Sequence, residues 1–154
     1  AENPMSAADI DQEQRALDLT KQGLLEEAEA IYRQLIADKT ESHIPYGNLA
    51  VICGMKGRWN EVIDLIKIAL ILQPNYPEAQ NNLGLALQNQ GDNKAAIEAY
   101  NKALELQPNL PEAHYNLKTQ HSDLFGGPPG YIAKKSSILH KIKEFVSEEL
   151  RIRL

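Results

Sequence analysis

PEAQNNLGLALQNQGDNKAAIEAYNKALELQPNL, residues 77–110, is the stretch on which the fold turns. Pro77 stands where a helix can begin, because the first turn has no use for its missing N–H. Residues from Pro77 to Gln90 read as one helix, and Gly91-Asp92 as a turn, with Asp92 placed to cap the next helix. Ala95, Ala96, Ala99, Tyr100 and Ala103 then recur at helical spacing as far as Leu106. Pro108 ends the second helix, since proline cannot continue one. Gly84, Ala96 and Ala103 are small enough to let the two helices approach closely, and Leu83, Leu87, Tyr100 and Leu104 fill the space between them.

The same frame extends in both directions. Shifted by 34 residues, Asn82-Leu83 falls on Asn48-Leu49, Gly91 on Gly57, Ala103 on Ala69, and Gln107-Pro108-Asn109 on Gln73-Pro74-Asn75. Forward, Pro111-Glu112-Ala113 and Asn116-Leu117 repeat Pro77-Glu78-Ala79 and Asn82-Leu83. Backward, Gly23, Ala28 and Tyr32 align with Gly57, Val62 and Ile66, although Thr40 replaces the closing proline. The frame predicts units at 9–42, 43–76 and 77–110, and the first helix of a fourth at 111–124. One hairpin cannot bury its own apolar face, so stacked hairpins share a continuous core.

Leu83-Gly84, Leu87, Gly91, Ala96, Tyr100, Ala103 and Pro108 resemble the tetratricopeptide-repeat pattern, with Gln80 in place of its first aromatic. The stretch Pro77–Gly91 with Pro108–Leu117 is similar to the repeats of O-GlcNAc-transferase-like proteins and their bacterial relatives. The resemblance implies an all-α fold: a right-handed superhelical α-solenoid whose first helices line the inner wall. It also implies which positions face inward. In the third unit these are Glu78, Asn81, Asn82, Leu85 and Gln88. In the fourth they include Glu112, Tyr115, Asn116 and Thr119, and in the second Gly47, Asn48, Val51 and Gly54. Asn48, Asn82 and Asn116 then form a column of amides, each with donor and acceptor capacity to match one peptide unit of an extended ligand. The family's asparagine ladder has this form, and the competing reading is that these residues bridge neighbouring helices. Val51, Leu85 and Thr119 form a second column beside it. Gly47 and Gly54 leave space for a bulky side chain, at a cost to helix stability.

The family's clamp for acidic chaperone tails needs inward lysine and arginine. Those places hold Glu13, Leu17, Glu78 and Asn82, or Gly47, Val51, Glu112 and Asn116, which argues against that ligand. Glu13, Glu78 and Glu112 suit a neutral or basic one. The net charge of -5 gives no sign of nucleic-acid binding. It divides unevenly: residues 131–154 carry six Lys/Arg and three Glu, and the remainder is acidic. No apolar run is long enough for a membrane span. Four histidines and one cysteine offer no metal or nucleophile constellation. Cys53 reads as an inert core thiol in a reducing, cytoplasmic setting, and Glu26, Glu27 and Glu29 as a solvated helix face. No cofactor is expected.

Residues 1–8 read as disordered or as an expression remnant, 125–131 as a Gly/Pro turn, and 132–154 as an amphipathic helix that caps the array. Function reads as a non-enzymatic scaffold that binds an extended peptide or partner helix in the groove. Two alternatives stand beside it: a substrate-recruiting segment of a larger enzyme such as a glycosyltransferase, and a self-assembling homo-oligomer whose C-terminal helix docks in a groove.

Overall fold

The computed structural model describes residues 5–125, with side chains through Gln120. These residues form seven helices and no strand: α1 (Ala7–Lys21), α2 (Leu25–Ala37), α3 (Ile44–Met55), α4 (Trp59–Leu72), α5 (Pro77–Asn89), α6 (Asn93–Leu106) and α7 (Pro111–Phe125). The capping helix expected at 132–154 lies outside the described residues. α1 begins at Ala7, inside the stretch 1–8 read as disordered or as an expression remnant. The reason is a capping box, in which Ser6 Oγ accepts from the Asp9 N–H at 3.1 Å and the Asp9 carboxylate accepts from the Ser6 N–H at 3.3 Å.

Each hairpin turns on the same device. Gly23, Gly57 and Gly91 have φ of 80°, 72° and 86°, in the left-handed region that glycine enters at no steric cost. The next N–H closes back on the helix in each case: Leu24 to Leu19 O, Arg58 to Cys53 O and Asp92 to Leu87 O. This is the Schellman arrangement, which satisfies carbonyls the helix end leaves open. Asp92 caps α6 by accepting from the Ala95 N–H at 3.2 Å. α2 closes on the same motif with a non-glycine residue: Lys39 has φ 58° and Thr40 N–H bonds Leu35 O. Units two and three break at proline instead.

Packing within the pairs depends on the small residues. The Tyr100 ring lies where a Cβ on Gly84 would sit, so α5 and α6 come together only because residue 84 has no side chain. Tyr32 and Tyr100 are fully buried at the same place in units one and three. Consecutive helices pack throughout. The odd helices also approach in series, α1 to α3, α3 to α5 and α5 to α7, whereas the backbones of α2, α4 and α6 stay apart and α2 meets α4 through the Arg33–Glu61 ion pair at 2.6 Å. A row joined on one side and splayed on the other bends toward the joined side, so the odd helices line the concave wall.

Candidate binding groove

Two cavities open between neighbouring odd helices. The first, about 270 Å3, lies between α3 and α5 and is lined by Val51, Gly54 and Met55 of α3, Trp59 and Val62 of α4, and Asn82 and Leu85 of α5. The second, about 460 Å3, lies between α5 and α7 and is lined by Asn81, Asn82, Leu85, Glu112, Tyr115 and Asn116. Most of the residues expected to face inward are thus brought together, and Asn82 and Leu85 belong to both cavities.

The amides differ in what they hold. Asn48 Nδ2 donates to Tyr32 Oη at 3.0 Å, which ties α3 to the preceding hairpin. Asn116 Nδ2 donates to Asn81 Oδ1 at 3.0 Å, and Asn81 is itself buried. Gln88 Oε1 accepts from Tyr100 Oη at 2.7 Å. Asn82 is half-buried, and among the described residues its side chain has no hydrogen-bond partner. The repeat register gives the reason. Ile66 stands where Tyr32 serves Asn48, and Gly47 stands where Asn81 serves Asn116. Both kinds of partner are missing for Asn82 alone.

Other expected residues have more local roles. Thr119 Oγ1 donates to the Tyr115 carbonyl at 2.8 Å, within its own helix. Glu78 is exposed and lines neither cavity, but its charge, after burial, helps push the Tyr76 hydroxyl up. Bulky side chains take the space at Gly47 and Gly54: the Tyr76 ring lies over Gly47, and Trp59 comes within 3.4 Å of where a Gly54 Cβ would stand. Trp59 and Met55 were not among the expected groove residues. The signal was present, because Gly54 replaces the longer Thr20 and Gln88 of the flanking units and Trp59 is the only tryptophan.

Glu13, another inward position, is buried, and its Oε1 has no hydrogen-bond partner among the described residues. Glu29 corrects the expectation of a solvated face. It is 8% exposed and bonded by Lys56 Nζ at 2.6 Å, Arg58 Nη1 at 2.7 Å and Arg33 Nη2 at 2.8 Å. Lys56 foremost, with Arg33 and Arg58, holds the Glu29 carboxyl at about 2, against the opposing effect of burial. Cys53 is buried, and burial foremost pushes its thiol up, so it is not a ready thiolate. Among the described residues no cluster of three His, Cys, Asp or Glu could hold a metal ion. No helix among them is long and apolar enough to cross a membrane.

Residues 77–110 match the family model for the tetratricopeptide repeat. No curated protein matches the sequence. Among solved structures, the second TPR domain of human RPAP3 in complex with the HSP70 peptide SGPTIEEVD is 22% identical, with a TM-score of 0.68 over 73% of this chain and 94% of that one. The Yersinia enterocolitica type III secretion chaperone SycD, in complex with a peptide of the translocator YopD, is 16% identical, with a TM-score of 0.69 over 79% of this chain and 98% of that one. A Thermobaculum terrenum O-GlcNAc transferase mutant is 22% identical, with a TM-score of 0.68 over 75% of this chain and 23% of that one. At these identities the likeness is one of fold.

Proposed function

For a chain that carries the tetratricopeptide repeat on a tetratricopeptide-repeat solenoid, we propose that the concave wall binds an extended peptide segment of a protein partner, without chemistry of its own. Asn82 carries the reading. It is an amide on the shared wall of two cavities, with neither the tyrosine nor the asparagine partner that occupies its register mates. An uncommitted amide of this kind can pair with the N–H and C=O of a ligand's peptide unit at little cost in reorganisation. Asn48 and Asn116 serve mainly to join units, so the ladder narrows to one open rung with Leu85 beside it. Peptide-bound neighbours of the same fold, RPAP3 and SycD, support the general mode. The acidic-tail ligand of RPAP3 does not suit this groove, because no lysine or arginine lines either cavity. The single buried thiol suits a reducing, cytoplasmic setting.

The test is photocrosslinking from a benzophenone side chain placed at the exposed position 115, in extract from the native source. Asn82→Ala should abolish the crosslinked species at an unchanged melting temperature, while the exposed Glu27→Ala leaves it intact. Equal capture by Asn82→Ala and the parent chain would sink the proposal.

A further inference from the structure

The cavities on either side of Asn82 have opposite character. Between α3 and α5 the lining is apolar, with room for one large aliphatic or aromatic side chain among Val51, Met55, Trp59 and Leu85. Between α5 and α7 the rim carries the Glu112 carboxylate and, one turn on, the Tyr115 ring, which is 69% exposed. A carboxylate beside an open aromatic face recognises a cation by charge and by the ring's quadrupole together. The amides of Asn81 and Asn116, already paired with each other, form a neutral wall behind it.

Spacing and backbone conformation then restrict the ligand. The two clefts are separated by one helix, roughly 8–10 Å for packed helices. In a polyproline II segment residues i and i+3 lie on one side, about 9 Å apart, and no internal hydrogen bond occupies the backbone. A β-strand puts i and i+3 on opposite faces. A helix has no free peptide unit to offer Asn82.

We infer that the groove selects an extended, polyproline-II-like segment that bears an apolar residue and, three positions away, a lysine or arginine. The apolar residue enters the α3–α5 cavity, the cation meets Glu112 and Tyr115, and a peptide unit between them pairs with Asn82. This rests on the peptide-binding reading above and adds the class of sequence that binds.

Selection of random linear peptides displayed on phage against the full chain, followed by fluorescence anisotropy with the winning peptides made synthetically, tests both levels. The expected consensus pairs an aliphatic or aromatic residue with Lys or Arg at i and i+3. Replacing the cation with alanine should weaken binding about tenfold, and so should the surface changes Met55→Glu or Glu112→Gln. Glu112→Lys should turn the preference toward acidic peptides. A consensus without charge, an acidic consensus, or an amphipathic-helix spacing of i, i+4 and i+7 overturns the inference while leaving groove binding standing, provided Asn82→Ala still weakens it. Peptides indifferent to Asn82→Ala and Met55→Glu, or no enrichment at all, overturn the peptide-binding reading as well.

Discussion

Glu29 and Ile63 occupy the same place in successive hairpins, 34 residues apart, and the seams they help form are built from different chemistry. In the first seam Glu29 accepts from Lys56, Arg58 and Arg33. Lys56 also reaches Glu26 at 2.8 Å, and Arg33 reaches Glu61 at 2.6 Å. In the second seam the positions of Glu26, Glu29, Lys56 and Arg58 hold Asn60, Ile63, Gln90 and Asp92. There Gln90 donates to Asn60, and Ile63 is buried. One backbone register thus accepts an ion cluster or an amide pair over an aliphatic side chain. The register decides which positions meet, and the residues at those positions decide the chemistry of the joint. The ion cluster carries a desolvation cost that its Coulomb energy must offset, whereas burial of Ile63 carries no such cost.

The strongest test of that difference is Ile63→Glu. It places a carboxylate where Gln90 and Asp92, rather than Lys56 and Arg58, stand in register, and should cost about 3–5 kcal/mol in urea unfolding. A cost near zero would mean the seams are interchangeable. Next is Glu29→Gln, which leaves three cations without their shared partner. Two of these are about half exposed and solvent-screened, so the loss should be about 2 kcal/mol. The same variant carries the pH prediction. Glu29 is held at about 2, below the ordinary carboxylate range, so its stabilisation is whole above that range and is lost as pH falls toward 2. Melting curves of the parent should therefore decline more steeply over that acid window than those of Glu29→Gln. Parallel declines would remove Glu29 as the pH-dependent part of the first seam.

The two buried tyrosines sharpen the comparison at smaller energies. Tyr32 Oη accepts from Asn48 of the next unit, while Tyr100 Oη donates to Gln88 of its own hairpin. Tyr32→Phe and Tyr100→Phe should each cost about 1 kcal/mol. In double-mutant cycles with Asn48→Ala, only Tyr32→Phe should show coupling. The smallest effect expected is a gain. Lys39 holds a left-handed φ of 58° at the close of α2, and Lys39→Gly should stabilise the chain by about 0.5–1 kcal/mol in the same assay.

The hairpins are legible because their determinants are local. Gly23, Gly57 and Gly91 sit where the turn needs positive φ, and Gly84, Ala96 and Ala103 sit where helices meet closely. The Ser6-x-x-Asp9 cap is equally local, but it straddles the start of the repeat frame at residue 9, and the frame gives no hint of Ser6. At the groove the repeat locates the positions but not their commitments. Three identical asparagines read as three equivalent rungs. Their partners lie 16 residues back for Asn48 and 35 back for Asn116, in neighbouring hairpins. Gly54 marks a space without revealing that Trp59 borders it.

Sequence alone therefore determined the period, the helices within it and their turns, since all of these depend on spacing within a few residues or on faithful repetition of it. The tertiary structure decided that Glu29 is a buried hub, that Asn48 and Asn116 are joints, and that Asn82 has no hydrogen-bond partner among the described residues. Burial and hydrogen-bond satisfaction depend on which side chains the adjoining unit brings across the seam, and an asparagine has the same composition and the same register whether that neighbour offers a hydroxyl, an amide or nothing.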